Sequence, residues 1–256
     1  METNHSHTGF EAAWQLAPEV LIPVIAIAAI YLRFAPETTK RQKGFFFAGL
    51  VSILGVVQTP IGANAMDLFS LHMVQHITLM MISGPLLVMG TPASFQPKSK
   101  IFHALTNPIF SWVTYAALMI GVHLPGPHNF IMENPWAHTY VEVPLYIALP
   151  YFFYFNLLDR KLEKRRIPPA IAVISLFLMM VPETLTGFFI YVSRSSLYDN
   201  MYSLDDQQRG GSLMWSGAMI IDTVWMAFAV YHWIKAEEKK SLEIDTQIAA
   251  EKNLQS

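Results

Sequence analysis

The residues best placed to do chemistry in this chain are His72 and His76, in the run Leu71-His72-Met73-Val74-Gln75-His76. On a helix the i, i+4 spacing puts both imidazoles on one face, and Met80 continues that stripe one turn further. Imidazole suits copper, zinc, iron or nickel, and an adjacent thioether biases the choice toward copper as Cu(I). The alternative is that both histidines only hydrogen-bond across helices, as polar side chains in bundles do. His123, in His123-Leu124-Pro125, is a third ligand candidate, set where proline ends a helix and leaves carbonyls free. His138 and Glu142 repeat the i, i+4 spacing, with His128 in the same connection. Glu183 follows Pro182 and is either part of this site or a hydrogen-bonding group beside a kink. Met81, Met179 and Met180 read as core filler, since methionine packs irregular gaps well. The chain has no cysteine, so disulfides, thiolate sites and cysteine-linked haem are excluded, and any metal is left to His, Met, Asp or Glu.

The elements that must position these groups are apolar. Of 256 residues, 53% are hydrophobic and only 14% charged, far below the roughly 25% usual for soluble domains. Seven apolar stretches are predicted to be membrane-spanning helices, at 16–33, 44–61, 67–90, 107–124, 141–158, 168–192 and 211–233. The expected architecture is an all-α polytopic membrane protein. It has an N-terminal tail at 1–15, a seven-helix domain at 16–234 and a polar C-terminal tail at 235–256. The first residues lack the positive n-region of a signal peptide, so the first apolar segment reads as a retained span. Fifteen of the 17 lysines and arginines fall on one side, in the first, third and fifth connections and the C-terminal tail; only Arg194 and Arg209 fall on the other. The positive-inside rule then places the N-terminus outside and the C-terminus in the cytoplasm. His72, His76, His123, His138 and Glu183 all fall toward the outer side, where His5 and His7 also lie, while His103 and His232 lie toward the cytoplasm. Asp205 and Asp206 sit where carboxylates would cap the seventh helix.

Several classes drop out. A net charge of −2 with clustered basic residues leaves no nucleic-acid face. The seventh span has no lysine for retinal, and there is no His-Glu-x-x-His peptidase run. Membrane desaturases need several histidine boxes on the cytoplasmic side. Ion transport needs charges along a whole path, and beyond Glu183 toward the cytoplasm the spans offer few. A haem-binding membrane redox protein that uses the same histidines remains the alternative.

The run from His72 to Gly90-Thr91-Pro92, with His123-Leu124-Pro125 and Asp206-Gln207-Gln208 followed by Gly211 and Met214-Trp215, resembles the Bacillus-type CtaG family. These are membrane proteins needed to assemble haem-copper cytochrome c oxidase of the caa type, and the resemblance runs from Trp14 to about Trp233. Two positions depart from it. Family members often have Trp before the fourth-span His and a second His four residues after the one matching His138, where this chain has Val122 and Glu142. The resemblance implies a non-catalytic assembly factor in the bacterial plasma membrane that presents copper at the outer face. Its expected partners are the copper-containing subunit of the oxidase and other copper chaperones. It also adds Met73 and Asp206 to the candidate ligands.

Overall fold

The structure, a computed structural model, describes residues 12–255 except 93, 96 and 159–166. Residues 1–11 of the predicted tail, with His5 and His7, and the basic connection from Arg160 to Arg166 lie outside the described residues. All regular structure among the described residues is helical. The main helices are α1 (Pro18–Phe34), α2 (Lys40–Val57), α3 (Phe69–Gly90), α4 (Pro108–Val122), α5 (Pro125–Glu133), α6 (Val143–Leu158), α7 (Pro169–Val192) and α8 (Leu204–Glu251).

Local chemistry sets where these helices begin. Thr39 and Gln42 form a capping box at α2, with Gln42 N donating to Thr39 Oγ1 and Thr39 N to Gln42 Oε1. Asn107 accepts from the amides of Ile109 and Phe110 at the start of α4, and Pro108 takes the first helical position, where its missing N–H costs nothing. Ser203 accepts from Asp206 N and starts α8.

Each of the seven predicted segments coincides with a helix, but among the described residues three helices are long and apolar enough to cross a membrane: α3, α7 and α8. A fourth span arises if α4 and α5, bent 74° apart at His123-Leu124, count as one. The others fall short for simple reasons. Helices α1 and α6 have 17 and 16 residues, and α2 begins with Lys40, Arg41 and Lys43. Helix α8 runs unbroken past Trp233 to Glu251, where its surface is exposed.

Helix α3 is the centre of the bundle. In its apolar window 67% of residues are buried, against 33% for α7 and 22% for α8, and it packs on α2, α6 and α8. Helices α7 and α8 meet through Gly187 and Gly211, small residues that let two backbones approach. A Cβ on Gly211 would lie 2.6 Å from Tyr191 N and 2.9 Å from Gly187 O, both backbone atoms that cannot swing aside. Gly211→Ala is therefore expected to destabilise the bundle by about 1–3 kcal/mol, read as a lower Tm in detergent; an unchanged Tm would mean that the two helices separate at no cost.

Among the described residues three π-helical turns interrupt the long helices, at Thr78–Ser83 in α3, at His138–Glu142 leading into α6, and at Leu213–Gly217 in α8. Such turns are rare and gather at functional sites. Carbonyls in the α3 turn have acquired side-chain donors: Ser83 Oγ bonds Thr78 O, and Trp225 Nε1 bonds Met81 O at 2.7 Å.

Helix α1 is attached at its ends. Gln58 exchanges two hydrogen bonds with the Ala17 backbone at one end, and Tyr31 Oη donates to Gly90 O at the other, its ring stacked on Phe46. Between these ties an apolar crevice of about 1000 Å³ separates α1 from α6.

Candidate metal centre

The N-terminal end of α3, the turn before α6 and the end of α4 bring together the histidines that the sequence analysis singles out. His72 and His76 project from one face of α3 with ring centroids 3.9 Å apart. Opposite them, the π turn His138–Glu142 points its first and last side chains at α3. Glu142 is the hub: its carboxylate oxygens lie 3.9 Å from His72 Nε2, 3.5 Å from His76 Nε2 and 3.8 Å from His138 Nε2. One ligand atom from each of His72, His138 and Glu142 falls within 4.8 Å of the others. These groups are enclosed, with His72 fully buried and Glu142 2% exposed.

Enclosure makes the hydrogen-bond accounting informative, because buried polar atoms are almost always paired. Among the described residues, no hydrogen-bond partner reaches either nitrogen of His72 or His76, Nε2 of His123, or either oxygen of Glu142. A cluster built only to cross-link helices would satisfy these atoms. Imidazole nitrogens with one carboxylate form a donor set that suits copper or zinc, so the residues present fit a metal cargo. The His72 and His76 rings are too close together to bracket a porphyrin between them.

The other candidates have distinct placements. His123 closes the end of α4, with Nδ1 2.5 Å from Met119 O and its ring 5.7 Å from that of His76. His128 is buried beside His72, and its Nε2 meets Tyr202 Oη at 3.2 Å. Met73, Met80 and Glu183 line a separate chamber below His76. Asp206 is committed elsewhere: its carboxylate accepts from Phe69 N at 2.6 Å and from Ser70 N and Oγ, and so caps α3 rather than the helix that carries it. Gln207 and Gln208 tie down the preceding connection through Leu197 N, Ser195 O and Ser193 O.

Sequence reasoning missed several groups. Gln75 holds His138 Nε2 at 3.0 Å with its oxygen and donates to Val56 O with its nitrogen, so it orients the ring. Tyr146 lies one turn beyond Glu142 with its ring 4.0 Å from His76 and its hydroxyl without a hydrogen-bond partner among the described residues. Tyr198 and Tyr202 pack around Phe69 and His128, and Tyr198 Oη donates to His123 O. Burial pushes both of these hydroxyls well above the ordinary tyrosine range, so they remain protonated donors. Asp222 of α8 pairs with Glu183, and its signal was a lone acidic residue in an apolar run.

Long apolar helices around an enclosed, partly unsatisfied His/Glu cluster define a protein that is helical throughout its described regular structure, with helices long and apolar enough to cross a membrane and its polar chemistry between them. The chain belongs to the cytochrome c oxidase caa3 assembly factor (CtaG) family, whose sequence model matches residues 24–236. Among curated proteins it is similar to the uncharacterised protein ML1998 of Mycobacterium leprae, with 19% identity over 232 residues, and to the uncharacterised protein Mb0105 of Mycobacterium bovis, with 20% over 226. The alignments cover 78% and 76% of this chain but 35% and 34% of those proteins, so it spans about a third of their length. No solved structure matches the chain.

Proposed function

We propose that this protein is a seven-span, non-catalytic assembly factor that holds copper at His72, His76, His138 and Glu142, near the extracytoplasmic face, for the copper-containing subunit of a haem-copper oxidase. The observation that carries the reading is the set of buried nitrogens and carboxylate oxygens without hydrogen-bond partners, gathered around Glu142. Family membership supplies the oxidase. The distribution of basic residues supports the orientation and the plasma-membrane location. In this role the protein performs no bond chemistry. Glu142 and the imidazoles bind the ion, Gln75 aims His138, and the enclosure of the cluster excludes water.

The test is genetic. Cells that lack the protein are expected to contain oxidase with haem but deficient in active-site copper, seen by visible spectra and metal analysis. The wild-type gene is expected to restore copper, and a His72→Ala/His138→Ala gene is not. Restoration by the double variant, or a fully metallated oxidase in the deletion strain, would refute the proposal.

A further inference from the structure

Below His76 lies a second chamber of a different chemical kind. Five methionines line it: Met73, Met80 and Met81 from α3, Met119 from α4 and Met214 from α8. All five side chains are at least 95% buried, and they come from three helices of a chain with 14 methionines in all. The cavity they leave is about 10 Å³, room for about one small particle. Three of the methionines sit in π turns, Met80 and Met81 in that of α3 and Met214 in that of α8.

Methionine by itself is ordinary packing material, but the polar groups of this chamber are not explained by packing. His76 and His123 line its upper part, and Nε2 of His123 and both nitrogens of His76 have no hydrogen-bond partner among the described residues. Glu183 lines it as well, 1% exposed; Tyr115 Oη donates to its Oε1, and its carboxyl group pairs with that of Asp222 on α8. An apolar core would not gather unpaired imidazole nitrogens and a buried acidic pair around a one-particle void. Thioethers with imidazole form a soft donor set, matched to Cu(I) and to its redox-inert analogue Ag(I) and poorly matched to Zn(II). One positive charge in so dry a place needs one negative charge nearby, and Glu183, facing Asp222, stands where that charge is required.

We infer that this chamber is a second metal site, separate from the His/Glu cluster, that binds a soft monovalent cation through thioether sulfurs with His76 and His123 and with Glu183 as counter-charge. The protein then has two adjoining stations of different softness that share His76. This inference does not depend on the first cluster's holding metal.

The test uses the purified full-length chain in detergent, titrated separately with Ag(I) and Zn(II), with the silver coordination read by X-ray absorption. Wild type is expected to bind one Ag(I) with sulfur in its shell. Met119→Leu/Met214→Leu keeps side-chain volume and is expected to weaken Ag(I) at least tenfold while Zn(II) affinity stays unchanged. Glu142→Gln is expected to weaken Zn(II) and leave the silver–sulfur shell intact. Silver held by nitrogen and oxygen alone, or equal Ag(I) affinity in a folded methionine double variant, would overturn the second site. Silver on sulfur in a protein that takes up no Zn(II) would support the second site and count against the first.

Discussion

Replacing Glu142 by glutamine is expected to weaken divalent-metal binding at the histidine cluster by about 100-fold or more, at or beyond the upper end of what loss of a ligand's supporting partner costs, without lowering thermal stability. The two halves of this expectation have one cause. Glu142 is the group that all three histidines face, at 3.5–3.9 Å. As a carboxylate it is costly to bury, and among the described residues no hydrogen-bond donor meets either oxygen. Glutamine has the same shape and no charge, and its amide can donate to an imidazole nitrogen, so the folded state loses nothing and the ion loses its anionic ligand. Titration with Zn(II) or Cu(II) and a thermal melt on the same sample separate the possibilities. Unchanged affinity would remove Glu142 from the site, and a large fall in Tm would make the cluster a structural ion-pair network instead.

Asp206→Ala is expected to do the reverse, destabilising the protein by about 3 kcal/mol, the upper range for charge-assisted caps. The carboxylate receives Phe69 N, Ser70 N and Ser70 Oγ, and these amides are the orphan donors at the first turn of the central helix. Alanine leaves them without a partner at a position that is 9% exposed in the wild type. Asp206→Asn keeps one acceptor oxygen and is expected to recover about half of the loss. Unfolding in detergent, followed by circular dichroism, measures both variants. Equal stability of wild type and Asp206→Ala would show that water replaces the cap.

Helix positions were legible because apolar length, prolines at first-turn positions and capping residues such as Asn107 act locally. His72 with His76, and His138 with Glu142, were legible as pairs for the same reason, since i, i+4 spacing is a property of one helix. What joins the two pairs was not, because contact between residues 63 positions apart, as between Gln75 and His138, is decided by tertiary packing. Asp206 shows the same limit. A carboxylate near a helix start reads as that helix's own cap, yet its partners lie 136 and 137 residues away. The count of membrane spans was less legible than the helices themselves, because α1 and α6 are short and α2 starts on three basic residues. The π turns left no mark in the sequence pattern, and Met81 read as filler because a methionine's role depends on what stands across the gap.

The attachment of α1 at its two ends sets an order of events. Its partner Gly90 follows Tyr31 by 59 residues, and the α6 wall of the crevice behind it is made later still. The tie at Tyr31 can therefore form only after the C-terminal end of α3 is in place, whereas Gln58 and Phe46, from the α2 segment, offer α1 an earlier hold. With few buried contacts beyond these ties, α1 is among the elements that hydrogen exchange would find opening early, and its release would open the crevice that it shares with α6.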